Sequence, residues 1–288
     1  MKTLLIILVS LIATTPCLAQ TNEIKNTPLT IGHTIQLVST VLHENRTINV
    51  ALPEGYDPQE DQKYPVIYIL DGGRNEDFLH IAGLVKYNTQ PWIDRFPKSI
   101  VVGIENLNRR RDFTFKVNNL DFLESKKMKK EYFSASGASA PYIDFLQNEL
   151  IPYITQNYKT TEHRTVIGES LAGLLATEIL LRHPSTFNDY IIISPSLWWD
   201  DHSLIREPSN LKKETITQPV KVYIGAPDRE EDIEMYDSAL QLEQTLKRLH
   251  PKIQLSFDYL PGELHSTVIH QAVYNAFRLL YPKTVYRQ

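Results

Sequence analysis

Two segments with strict alternation of polar and apolar residues, 34–42 and 46–53, open the patterned part of the chain. A period of two is that of strands with one face in a core and one in water, so the pair predicts an antiparallel hairpin. Downstream the pattern changes. Residues 64–70, 99–104, 165–167, 190–193 and 220–224 are short, almost uninterrupted apolar runs. Strands of that kind are covered on both faces, the habit of a parallel sheet between helices. A last candidate strand spans 254–260. Residues 142–158, 171–182, 235–249 and 267–280 carry apolar positions at helical spacing, as in Leu171, Leu174, Leu175, Ile179 and Leu180. Strand alternating with helix predicts an α/β fold: one mostly parallel, doubly wound sheet with helices on both faces, made mixed by the leading hairpin.

The first nineteen residues stand apart. Lys2 precedes an apolar run from Leu4 to Ala13, and Cys17-Leu18-Ala19 offers a cleavage site before Gln20, so residues 1–19 read as a secretory signal peptide. The run is shorter than the ~20 residues a membrane span needs, so no stable membrane insertion is expected after cleavage. Residues 20–288 are then a single domain, exported to a periplasm or secreted. Removing the signal takes away the only cysteine and leaves 29 Lys and Arg against 34 Asp and Glu, a net charge of −5. That excludes a cysteine nucleophile, disulfides and thiolate metal sites, and argues against nucleic acid as a partner. The charge is uneven: residues 109–130 hold eight Lys or Arg against three acids. Residues 107–139, weakly periodic, read as an insertion or lid over the carboxyl ends of the strands.

The sharpest chemical feature is Gly168-Glu169-Ser170-Leu171-Ala172-Gly173, a serine among small residues between a buried strand and an apolar-faced helix. This is the setting of a nucleophile elbow, with Ala172 where a second glycine is usual. A hydroxyl needs an imidazole to take its proton. Of nine histidines, only His265 follows the last candidate strand through turn residues, Pro261-Gly262-Glu263, and precedes a closing helix. The third member of such a triad belongs on the loop after the intervening strand, where Asp228 stands, with Glu230, Glu231, Asp232 and Glu234 as competitors. Oxyanion donors are expected from the N–H of Leu171 and, after Leu70-Asp71-Gly72, that of Gly73. Trp198 and Trp199, with Arg110 and Arg111 beside Arg109, suggest a site for an anionic aromatic ester. No metal or organic cofactor is expected, and the partner is a small-molecule ester.

Together these residues resemble the putative esterase family of α/β-hydrolases, the group of esterase D-like enzymes and bacterial hydrolases of catecholate siderophore esters. The resemblance runs through residues 46–53 to Gly55-Tyr56, 65–72, 102–104 with Arg111-Asp112, the elbow, Ile193-Ser-Pro-Ser-Leu-Trp-Trp199 and Gly262-Glu-Leu-His265-Ser. It implies an α/β-hydrolase fold with Ser170 as nucleophile, His265 as base and the loop at Gly72-Gly73 contributing to the oxyanion site. The family's acid is variable, and some siderophore esterases resemble a Ser-His dyad. Glu169 and Ala172 stand where His and Gly are frequent in the family, departures that bear on substrate preference. The resulting expectation is a serine carboxylic-ester hydrolase working through an acyl-enzyme. Alternatives on the same residues are a periplasmic catecholate-siderophore trilactone esterase, an acyltransferase, or a non-catalytic binding protein on a hydrolase fold.

Overall fold

A computed structural model describes residues 25–206, 219–249 and 253–283. The proposed signal peptide therefore lies outside the described residues. The described residues from Ile31 onward make one compact unit.

In chain order, strands β1 (His33–Ser39), β2 (Glu44–Ala51) and β3 (Tyr64–Leu70) lead to helix α1 (Phe78–Asn88) and strand β4 (Ile100–Ile104). Two single-turn helices, α2 (Arg109–Asp112) and α3 (Phe122–Ser125), and a 3-10 turn at Lys130–Phe133 follow. Helices α4 (Ser139–Phe145) and α5 (Ile151–Asn157) are joined by a π-helical turn at Leu146–Leu150. Then come β5 (Thr160–Glu169), α6 (Leu171–Arg182), β6 (Asp189–Ile193), α7 (Ser203–Arg206), β7 (Lys221–Ala226), α8 (Ile233–Leu249), β8 (Gln254–Tyr259) and α9 (Val268–Leu280).

Among the described residues eight strands join one sheet in the order β1-β2-β4-β3-β5-β6-β7-β8. The hairpin β1–β2 and the pair β2–β4 are antiparallel, and every other pair is parallel. The mixed, doubly wound α/β sheet expected from the apolar runs is the architecture found. Its two faces carry separate cores. One packs Val66, Tyr68, Val102, Val166 and Ile192 against α4, α5, α6 and α8. The other packs Ile67, Ile69, Ile167 and Ile191 under α1 and α9. Alternate residues of one strand thus feed opposite cores, which is why the central strands show no polar face. Helix α1 is not among the elements predicted from the sequence. Among the described residues no helix is long and apolar enough to cross a membrane.

The basic segment, residues 107–139, runs from the end of β4 to the start of α4, and its base is fastened by ions. Arg46 of β2 has a wholly buried side chain whose Nη1 lies 2.9 Å from both Asp112 Oδ2 and Glu44 Oε1. Arg111 is held by the same two acids, 2.6 Å from Glu44 and 2.6 Å from Asp112. Arg46 also sits over the rings of Tyr142 and Phe145. The cluster ties β2, α2 and α4 together where a charge would otherwise be stranded in the core.

Candidate active site

Ser170 lies one residue past the end of β5 and caps α6 with φ 60° and ψ −119°. A left-handed serine costs about 1–3 kcal/mol and persists only where its surroundings hold it. Here its N–H donates to Ile193 O at 3.0 Å, and its carbonyl accepts from the N–H groups of Leu174 and Ser196. Close packing of helix on strand depends on Gly168: a Cβ there would come within 2.4 Å of the Ala172 carbonyl oxygen. Ala172 itself is fully buried where a second glycine is usual.

His265 arrives from the loop after β8, and its Nε2 stands 3.0 Å from Ser170 Oγ. The two residues the sequence paired are therefore in hydrogen-bond contact across 95 positions. Burial pushes the imidazole below its usual 6.5; Glu231 and Asp232 counteract this, while Arg109 adds to it. Downward displacement keeps the ring neutral, able to accept a proton, at neutral pH. Its Nδ1 faces the Ser194 hydroxyl at 2.8 Å, and Ser194 Oγ is in turn 2.9 Å from Met235 Sδ.

The acids of the β7–α8 loop are engaged elsewhere. Asp228, the residue expected to orient the imidazole, is not brought to it. Its carboxylate accepts from the Glu230 N–H at 3.1 Å and the Tyr259 hydroxyl at 3.4 Å, folding its own loop as aspartates in turns do. Glu231 accepts from the backbone N–H of His265 at 2.5 Å. Asp232 accepts from the Met235 N–H at the start of α8, and Glu234 pairs with Lys126 and His202.

Two further polar groups reach the catalytic pair. Ser196 Oγ lies 3.3 Å from Ser170 Oγ, and Glu169 Oε1 lies 3.3 Å from His265 Nε2. Burial pushes the Glu169 carboxyl up to about 8, with Arg109 opposing and Asp71 and Asp77 reinforcing the rise. Asp71 is likewise raised by burial, to about 6, although Arg109 and Asn106 bond to it. Glu169 therefore keeps in the folded state a proton that the unfolded chain releases above 4.5. Wild-type stability should accordingly fall, relative to Glu169→Gln, as pH rises from 4.5 towards 8, by at most about 1.4 kcal/mol per unit. Thermal unfolding of both proteins across that range checks it: a gap that does not widen would mean that Glu169 ionises within the fold.

The cleft in front of Ser170 has a volume of about 710 Å³. Leu171, Ser196 and Trp198 form its floor, and Leu107, Arg109, Arg110, Lys127, Lys129, Tyr132 and Phe133 its walls. Leu171 opens α6, so its N–H lies outside the helical ladder and is free to face an oxyanion. Arg110 sits over the rings of Tyr132 and Phe133 at 5.6 and 5.3 Å. Three other residues expected here do not reach the cleft. Trp199 is fully buried, its indole N–H donating to Phe115 O. Arg111 turns to Glu44 and to the buried Asp112. The Gly73 N–H donates to Glu76 Oε2 at 2.6 Å, and Gly73 lines a separate polar cleft with Thr47, Asn49 and Glu105.

A strained serine at a strand-to-helix turn, an imidazole beside it, and a cleft over the carboxyl edge of a doubly wound sheet define a serine hydrolase of the α/β-hydrolase fold acting on esters. The chain belongs to the putative esterase family, whose family model matches residues 39–282. It is 28% identical over 271 residues to the ferri-bacillibactin esterase BesA of Bacillus subtilis (strain 168), covering 90% of this chain and 93% of that one. Among solved structures it is similar to an IroE-like serine hydrolase from Shewanella oneidensis, 28% identical with a TM-score of 0.78 over 87% of this chain and 80% of that one. It is also similar to the BES protein from Bacillus cereus, 25% identical with a TM-score of 0.75 over 90% and 99% of the two chains.

Proposed function

We propose that the chain is an exported serine esterase in which Ser170 forms an acyl-enzyme with small esters carrying anionic aromatic groups, the chemistry of catecholate siderophores. The observation that carries this is the 3.0 Å contact between His265 Nε2 and Ser170 Oγ at the floor of a cleft lined by four cations and three aromatic rings. Ser170 Oγ attacks the ester carbonyl while His265 Nε2 takes its proton. The carbonyl oxygen gathers negative charge and accepts from the Leu171 N–H. As the intermediate collapses, the imidazolium gives its proton to the departing alkoxide. Water then repeats the sequence against the acyl-enzyme, releasing the acid and regenerating Ser170.

The substrate class rests on charge and shape. Arg109, Arg110, Lys127 and Lys129 face the cleft, and no carboxylate is among its lining residues. Such a cleft raises the local concentration of anions, while Trp198, Tyr132 and Phe133 offer faces to a planar ring. The name of the Bacillus subtilis relative agrees with a siderophore ester. Export rests on the reading of residues 1–19, and residues 107–139 act as the cleft's outer wall.

Arg110→Ala is expected to raise KM for a negatively charged aromatic ester about fivefold to fiftyfold and leave a neutral ester of similar size nearly unchanged. Steady-state hydrolysis of the two esters, alongside phosphonate labelling of Ser170, tests both parts. Equal effects on both esters would remove the charge argument, and failure of the phosphonate to label the folded protein would remove the acyl-enzyme.

A further inference from the structure

In the serine triad, the group behind the imidazole fixes which ring nitrogen carries the proton. Behind His265 there is a hydroxyl. Among the described residues no carboxylate lies within hydrogen-bond distance of Nδ1, because Asp228, Glu231 and Asp232 are each bonded elsewhere. Ser194 is fully buried and cannot borrow water freely. Its N–H is anchored to Gly225 O at 2.8 Å, and its backbone is left-handed at φ 41°, so its side chain starts from a fixed point. Among the described residues its hydroxyl touches two groups at bonding distance, His265 Nδ1 at 2.8 Å and Met235 Sδ at 2.9 Å.

We propose that Ser194 and Met235 together replace the triad acid, holding His265 as the tautomer protonated on Nδ1. This assignment rests on the reading of His265 as the base for Ser170. A thioether sulfur accepts and never donates. With the single proton of Ser194 donated to Met235 Sδ at 2.9 Å, the oxygen's lone pairs face the ring. Only Nδ1–H satisfies that contact, and Nε2 is then bare towards the Ser170 proton it must take. Without the sulfur, a buried Ser194 has one partner left and donates to Nδ1. The ring proton is then driven to Nε2, and the base is blocked. A hydroxyl carries no charge, so Ser194 aligns the imidazole without balancing the imidazolium. Ser194 and Met235 are positioning residues.

Nitrogen-15 spectra of histidine-labelled wild-type protein at pH 7.5 read the tautomer directly in the unaltered site. The expected result is a protonated Nδ1 and a bare Nε2 for His265, assigned by the loss of its signals in His265→Ala. In Met235→Leu, which keeps the volume, the Nε2-protonated form should gain population and kcat fall at least tenfold with KM little changed. Ser194→Ala should likewise lower kcat roughly tenfold to a hundredfold, the scale of one lost orienting hydrogen bond in the transition state. A wild-type ring protonated on Nε2 would overturn the assignment, as would full kcat in both variants while His265→Ala is inactive. Full turnover in His265→Ala would instead overturn the base itself.

Discussion

Ser170→Ala is expected to abolish turnover, lowering kcat by about four to six orders of magnitude, while the protein still folds. The loss is large because Oγ is the atom that bonds to substrate, and its removal leaves only cleft binding and the Leu171 N–H to act on the ester. Little else depends on the hydroxyl. Its partners are His265 Nε2 and Ser196 Oγ, and Ser196 also bonds through its backbone. Ser170→Gly should be equally inactive yet more stable than alanine by about 1 kcal/mol or more, because glycine enters φ 60° without strain. Stopped and steady-state hydrolysis with urea unfolding of the three proteins separates these effects. Residual turnover above a hundredth of wild type would move the nucleophile elsewhere, and a glycine variant less stable than alanine would show that the elbow is not strained.

Asp112→Ala should be the most damaging substitution outside the catalytic pair, lowering stability by about 3–5 kcal/mol. For a chain of this size that is a fall in Tm on the order of 10 °C. The reason is the charge it leaves behind. Arg46 has no exposed side-chain surface, and without Asp112 its guanidinium keeps Glu44 at 2.9 Å and a longer bond to Glu105 O at 3.3 Å. Arg111 loses a partner in the same step. Because Asp112 ends the helical turn that presents Arg109 and Arg110, surviving folded protein should also bind anionic esters more weakly. Chemical unfolding midpoints with KM below the new Tm test both statements. A loss under 1 kcal/mol would mean that Glu44 alone neutralises Arg46.

The sheet was legible because burial on both faces writes itself as continuous apolar runs, as in Tyr190–Ile193. The alternation in β1 matches a strand half open to water, whereas β2 ends in four buried residues, Ile48–Ala51, with polar Asn49 among them. Strand β5 begins five residues before its apolar run because its first half, Thr160–Arg164, is only partly covered and carries polar side chains. Ser170 and His265 were legible by chain order and local turn residues. Their partners were not. Ser194 and His265 are 71 positions apart, and a serine after a strand has no pattern that marks it as an imidazole's neighbour. Neighbouring residues also defeated the reading of the cleft. Trp198 and Trp199, like Arg110 and Arg111, are alike in type and adjacent in sequence, yet only the first of each pair lines the cleft: Trp199 is fully buried, and Arg111 pairs with Glu44 and Asp112. On a tight turn consecutive side chains point apart, and nothing in composition says which is which.

The reactive groups hang from neighbouring strands at a common level. Glu169 pairs with Ile193, and Ile193 with Gly225, so Ser170 and Ser194 are the next residues beyond matched positions, with β8 aligned alongside and leading to His265. The assembly works like the pins of a lock, open only when every strand is cut to the right length. Sliding β6 by a single residue would displace Ser194 by about 3.3 Å and turn it to the opposite face, with the hydrophobic cores still largely filled. Loops at the far edge of this sheet can therefore lengthen without shifting the site, whereas a one-residue insertion in β5 or β6 should lower turnover.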